Sequence, residues 1–374
     1  MASAMTARER FCRIMHYQQP DRIMHWEFGY WVETVDRWHN EGLPKHLTTD
    51  SQVEAYFGVD GRAGPPFAFG LNPAFETKEL SREGGKVIMQ MGDGSIAQQI
   101  TEGIRTIPHY IEFPVRDRAT WADYKNRLRI DDPIRKFDYK KVAPELNAAK
   151  VPVAGHIGSF FGVPRNMFGF ERISLMVYDD RALVQEVIDH LTDMTMSQLV
   201  PSLEAGIKYD LACGWEDICY KSGPIISPKM FDEMCGPGIE RVCSALRKHG
   251  CDVIWTDCDG DVTPLVPVFL RRGLNCMFPV EVHAGSDPVA MRKKFGNDLL
   301  LVGGFDKFAF DSKKQISQEL KRIEPLMKQG AFIPHVDHRV PANVSFENYK
   351  FYIREKLKMI GFTTQEIQNV EGLA

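Results

Sequence analysis

The stretch Gly250-Cys251-Asp252-Val253-Ile254-Trp255-Thr256-Asp257-Cys258-Asp259-Gly260-Asp261 decides the fold. A glycine ends a helical run, a short apolar run follows at once, and acidic residues close it. Glycine is favoured just past a helix because that position takes a left-handed backbone. The same order of events recurs through the second half of the chain. Gly206 precedes an apolar run at 207–213, Gly273 one at 274–278, Gly296 one at 299–302 and Gly330 one at 331–334. The runs between carry helix-start signals. Ser227-Pro228, Thr263-Pro264 and Asp287-Pro288 each read as an N-cap followed by proline at the first helical position, and Asp180 and Ser345 open two further helices. Strands alternating with helices imply βαβ units and a parallel sheet.

Towards the N-terminus the pattern adds strands at 22–28 and 151–157 and a weak one before Pro114. Eight parallel strands predict an α/β fold, a single (β/α)8 TIM barrel spanning 1–374. No GxGxxG follows the first strand, which argues against a dinucleotide-binding sheet. Thr6 and Glu9 form a capping box ahead of an apolar face of Phe11, Ile14 and Met15. Around Gly92-Asp93-Gly94 the pattern changes to a β-hairpin over 87–101, which predicts an insertion at about 86–114. A chain of 374 residues could hold two to three domains, but no linker or charge run divides it, and α/β barrels reach large sizes as one domain.

The composition, 44% hydrophobic and 26% charged, is that of an ordinary globular protein. A net charge of −4 gives no electrostatic case for nucleic acid or an anionic membrane surface. No apolar run is long enough to span a bilayer, and the N-terminus lacks the apolar core of a signal peptide, so a cytoplasmic protein is expected. Seven of the 8 cysteines fall between Cys213 and Cys276 without a CxxC, which reads as reduced, mostly buried thiols.

Barrel enzymes carry their chemistry at the C-terminal ends of the strands. That rule selects Glu27 with its aromatic neighbours Trp26, Phe28, Tyr30 and Trp31, then His156, Glu216, the Asp257-Cys258-Asp259 run, Glu281 and His283, Asp306, and His338. Trp26, Glu27, Tyr30, Trp31 and His156 are the expected substrate-binding residues, a pocket for a flat or methylated molecule. Glu216, Asp257 and His338 are the expected catalytic residues. Asp257, Asp259, Glu281 and His338 offer oxygen and nitrogen donors that suit Zn²⁺ with one position open, and serve equally as a metal-free acid/base set. His249 lies at the start of its strand, the wrong end of the barrel for a ligand.

Three segments carry a family resemblance: Asp259-Gly260-Asp261, Gly303-Gly304-Phe305-Asp306, and Ile333-Pro334-His335-Val336-Asp337-His338 followed by Pro341 and Ser345-Phe346-Glu347-Asn348. With them the chain resembles the uroporphyrinogen decarboxylase superfamily over most of its length. The last segment is similar to the family's closing Gly-His-Gly-Ile, whose active-site histidine falls on His338. The resemblance implies a single (β/α)8 barrel and one of two activities. These are cofactor-free decarboxylation of porphyrinogen side chains, and zinc-dependent methyl transfer to or from a corrinoid protein or a thiol.

Where the decarboxylases carry an arginine-bearing Arg-Gln-Ala-Gly-Arg segment, this chain has His25-Trp26-Glu27-Phe28-Gly29-Tyr30-Trp31. That departure disfavours a polyanionic porphyrinogen. The thiol methyltransferases' His-x-Cys pair falls on Asp257 and Asp259, and their last zinc-binding cysteine on His338. Carboxylate and imidazole would leave zinc a stronger Lewis acid, suited to an ether oxygen. The chain therefore looks most like the methyltransferase component of anaerobic O-demethylases. That likeness implies a methoxylated aromatic or other methylated small molecule as donor. It implies a separate corrinoid protein as partner, since no Asp-x-His-x-x-Gly corrinoid motif is present, and a homodimer among the expected assemblies. The alternative is a metal-free lyase acting on a small carboxylate.

Overall fold

In the computed structural model, which describes residues 5–100 and 108–373, an antiparallel sheet comes first. It comprises β1 (Lys78–Glu83), β2 (Lys86–Gln90), β3 (Ile96–Ile100) and β4 (His109–Glu112), in sequential order. The expected hairpin is its β2–β3 pair, with Gln90 opposite Ile96. Thr101 lies outside the described residues. The insertion is thus larger than the sequence suggested, because β1 is exposed along its whole length and carries no apolar alternation.

The second half builds β5 (Ala154–Gly158), β6 (Leu211–Trp215), a ribbon of β7 (Cys219–Tyr220) and β8 (Gly223–Pro224), β9 (Ile254–Asp257), β10 (Cys276–Phe278), β11 (Leu300–Phe305) and β12 (Phe332–Val336). Six of these form one parallel sheet in the order β5-β6-β9-β10-β11-β12. Extended segments flank its two edges. Ala63 forms a parallel bridge with Val153 ahead of β5, and Tyr30 forms one with Val340 beyond β12. The two segments meet where Asp60 N–H donates to His25 C=O at 2.8 Å. The expected first strand is therefore in place without a ladder. The expected weak strand falls at 60–63, well short of Pro114. Pro65 and Pro66 have no N–H to extend a ladder, and the Asp60 carboxylate already accepts from His25 N–H at 2.8 Å. The architecture is an α/β barrel, with six strands in one parallel sheet and two extended staves joined to it by isolated bridges of two hydrogen bonds each.

Side chains at alternate positions fill the interior. Met24, Trp26, Leu211, Val253, Trp255, Cys276, Val302 and Ile333 pack there with Phe11, Ile14 and Met15 of the helix Ala7–Met15. That helix keeps the predicted capping box and joins the barrel through the bond from Ala331 N–H to Ile14 C=O. The predicted caps Ser227, Asp287, Asp180 and Ser345 all hold their helices. Thr263 does not: that helix runs over Val266–Arg272 behind Leu265, because Asp261 accepts the Thr263 N–H and turns the chain first. All eight cysteines are free, six of them buried. No helix among the described residues is long and apolar enough to cross a membrane. Gly303 shows why its motif needs glycine: its φ is +111°, and a Cβ there would sit 1.9 Å from the Pro279 carbonyl oxygen.

Candidate active site

The strand ends converge as the barrel rule requires. Register places Asp257, the last residue of β9, level with Trp215 of β6 and Phe278 of β10. Asp217 and Asp259 follow in the next loops, and His338 follows β12. Asp259 Oδ2 lies 3.0 Å from His338 Nε2, while the buried Asp259 Oδ1 has no partner. Asp217 takes a left-handed backbone at φ +42° and pairs with Arg165 at 3.2 Å. Strained conformations of this kind cluster at functional sites. Burial first, then repulsion from Asp259 and Asp217, pushes Asp257 well above the usual carboxylate range, which favours its protonated form. Burial also raises Asp217, against the pull of Arg165.

Aromatic rings clamp His338. Trp31 stacks on it with centroids 5.7 Å apart, and the ring of Phe28 meets it at 5.5 Å. Phe28 continues onto Phe278 at 4.6 Å. The other aromatics of that stretch face elsewhere. Trp26 is inside the barrel plug. Tyr30 is buried and bonded to Tyr349 through its hydroxyl. Glu27 forms a fully buried ion pair with Lys356 at 2.7 Å and accepts from the Tyr352 hydroxyl. Of the expected aromatic pocket, Trp31 and Phe28 reach the cluster.

Glu216 and Glu281 are engaged by protein partners. Glu216 is buried and accepts the backbone N–H groups of Phe160, Phe161 and Gly162 at 2.6–2.9 Å, where the helix Gly162–Phe168 begins. Burial raises it to about 7 against those bonds. Its geometry is that of a loop clamp. Glu281 accepts from the Lys307 ammonium and from Gly260 N–H. Asp337 accepts from Lys307 N–H and Val282 N–H. Together these brace the loops after β9, β10, β11 and β12 that carry Asp259 and His338. His283 is exposed and packs on Phe308.

Beside this cluster is a cavity of about 600 Å³, walled by Phe69, Leu71, Met167, Met194, Trp215 and His156 and closed on one side by Gly92 and Asp93 of the inserted sheet. A second cavity of about 480 Å³ shares Trp215 and Asp93 and reaches Asp217 and Arg165. His156 faces the first cavity in its neutral form, since burial lowers it to about 4. Gly158 N–H donates to its Nδ1 at 2.8 Å, which assigns the ring proton to Nε2. A third cavity, about 710 Å³, lies at the opposite barrel end around His16 and Asp252, where barrels keep stability rather than chemistry.

Sequence reasoning missed Asp217, Arg165, Lys307 and Asp93. Asp217 was within reach, being next to Glu216 at a strand end. Asp93 had no local signal, because only the tertiary fold brings the insertion over the barrel.

The zinc expectation meets a geometric obstacle. Among the described residues, no three carboxylate, imidazole or thiol groups are arranged to hold a metal ion. Glu281 is tied to Lys307, and Asp259 and His338 are bonded to each other. The residues present do not fit the ion as they stand.

Comparison with known proteins adds the family. The family model described as uroporphyrinogen decarboxylase matches residues 106–356. Among solved structures, the chain is similar to a methyltransferase from Methanosarcina mazei at 15% identity and a TM-score of 0.59, over 95% of this chain and 99% of that one. At that identity the likeness speaks to the fold. A B12-independent methionine synthase from Shewanella sp. W3-18-1, in complex with selenomethionine, aligns at 8% identity with a TM-score of 0.44, over 96% and 95% of the two chains, too distant to weigh. No curated protein matches the chain.

Proposed function

The chain belongs to the uroporphyrinogen decarboxylase family, and from that premise we propose that it is a methyltransferase. It takes a methyl group from a methoxylated aromatic or other methylated small molecule and passes it to the cobalt of a separate corrinoid protein. The observation that carries this reading is a buried Asp257 at a strand end, level with Trp215 in the wall of an apolar cavity large enough for an aromatic ring, in surroundings that raise its proton affinity. Breaking a methyl–oxygen bond leaves an electron pair on oxygen, and a positioned acid lowers that barrier by supplying a proton as the charge develops.

In this reading the donor's ring lies against Trp215 and His156, with His156 Nε2–H able to donate to it. The reduced corrinoid is the methyl acceptor and approaches from the solvent side. As the carbon–oxygen bond breaks, the Asp257 proton moves to the leaving oxygen. The resulting Asp257 carboxylate faces Asp217 and Asp259, whose repulsion drives it to take a proton from water and reset. His338, clamped by Trp31 and Phe28, fixes Asp259 in place. No step requires zinc.

The test is incubation with reduced corrinoid protein and a panel of methoxyarenes while the cobalt spectrum is followed. Methyl-cobalt formation with release of the free phenol is expected. No methyl-cobalt across the panel, together with carbon dioxide release from some acid, would instead favour the lyase.

A further inference from the structure

One exposed arginine has no ion-pair or hydrogen-bond partner among the described residues. Arg62, on the extended segment next to β5, stands 5.2 Å over the ring of Trp26 and 5.5 Å over that of Trp255. Among the described residues its guanidinium makes no hydrogen bond or ion pair. Asp60 is paired with Arg22 at 2.8 Å. Glu27 is paired with Lys356. Glu54, which burial and the neighbouring Asp50 raise to about 7 while Arg62 pulls it down, is the remaining acidic neighbour, and among the described residues it makes no ion pair with Arg62.

Beneath it lies a cavity of about 70 Å³ whose wall includes Trp26, Glu27, Glu54, Phe278 and His335. Three buried polar atoms of that wall are unpartnered: Trp26 Nε1, Glu27 Oε2 and His335 Nε2. Unmatched buried polar groups are costly, and native structures normally serve them with a ligand or ordered water. His335 Nδ1 meets the Val336 carbonyl at 2.6 Å, so its proton is there and Nε2 accepts. The cavity thus presents one N–H donor and two acceptors under a cation. The volume suits a carboxylate group and a water, and is too small for a ring. A water donating to Glu27 and His335 satisfies the acceptors. The guanidinium fork, already stacked on aromatic faces, matches a carboxylate in two parallel bonds.

We infer that Arg62 and Trp26 Nε1–H bind a carboxylate of the substrate, so that the methyl donor is a methoxylated acid rather than a neutral ether. The inference rests on the methyl-transfer reading for the identity of the substrate. Asp257 lies two residues beyond Trp255, over whose ring Arg62 stands, an advance of about 6–7 Å along β9, and a para-substituted benzene ring has a length of that order.

The experiment measures binding to the full chain by tryptophan fluorescence and calorimetry. The probes are 4-methoxybenzoate, its neutral relative 4-methoxytoluene, and inorganic phosphate. The acid should bind at least tenfold more tightly than the neutral ether. Arg62→Met should weaken the acid 10- to 100-fold and leave the neutral ether within twofold, with an unchanged melting transition since Arg62 is exposed. Equal affinity for acid and ether, an acid preference that survives Arg62→Met, or phosphate binding as strongly as the acid would each overturn the inference. Arg62-dependent binding of the acid with no methyl-cobalt would retain the carboxylate site and refute methyl transfer. Methyl transfer from neutral ethers, undiminished in Arg62→Met, would do the reverse.

Discussion

Replacing Asp257 with asparagine should make the protein more stable and far less active. The sign follows from proton linkage. Burial and the charges of Asp259 and Asp217 raise the folded-state pKa of Asp257 above the unfolded value near 3.9. The folded protein therefore binds more protons than the unfolded chain over the whole interval between the two values. Stability associated with this group is fully present below the unfolded pKa and is lost as pH rises towards the folded one. At neutral pH Asp257 is a burden on the fold. Each tenfold displacement of its proton affinity corresponds to about 1.4 kcal/mol.

Asparagine keeps the shape, cannot ionise, and removes that burden. Unfolding entropy of about 2.1 cal/mol/K per residue implies, for a chain of this length, a Tm rise of roughly 1–2 °C for each kcal/mol recovered. Calorimetric scans of both proteins should show the variant melting higher at pH 7–8, with the gap closing near pH 4. Methyl transfer should fall by about 10²–10⁴-fold, the usual worth of a positioned acid, with donor affinity retained. A variant that melts lower at every pH, or that turns over normally, would refute the assignment of a raised, proton-holding carboxyl.

Four further outcomes are expected. Lys356→Met should cost about 3–5 kcal/mol in urea unfolding, because it leaves Glu27 buried and unpaired. The double variant with Glu27→Gln should recover much of that loss, and a double variant no better than the single would show that packing of the Lys356 stem is what matters. Glu216→Gln should cost about 1–3 kcal/mol, since one oxygen that accepts backbone N–H groups becomes a donor. Its turnover per folded molecule should stay within twofold, and a hundredfold loss would make Glu216 catalytic. His338→Ala should lower turnover at least tenfold with little change in Tm, and His338→Gln should restore part of it by renewing the bond to Asp259. Exhaustive chelation should leave turnover unchanged; loss that zinc alone restores would draw Asp257, Asp259 and His338 into a metal site.

What could be read from the chain divides along a physical line. The glycine-led runs marked β6 and β9 to β12 because helix ends and buried strands impose local demands on residue type. The runs began too early, however, since their first residues turn the chain at the barrel base. Asn275 does this with its side chain, accepting from Ile254 N–H and donating to the Asp252 carbonyl. The stave at 60–63 had no legible pattern, as a segment joined by an isolated bridge needs no alternation and here runs into Pro65-Pro66.

At the site, the strand-end rule brought Asp257, Asp259 and His338 to one rim, and the structure sets Asp259 against His338. The grouping of Trp26, Glu27, Tyr30 and Trp31 in one pocket is divided by partners far along the chain: Tyr30 bonds to Tyr349 and Trp31 stacks on His338, while Trp26 and Glu27 border a separate small cavity. Arg62 was invisible for a related reason. Nothing about a single arginine near a Gly-Pro-Pro run signals a site. Its meaning comes from the tryptophan faces beneath it and from carboxylates whose partners lie up to 329 positions away, a balance of charge that only the folded chain assembles.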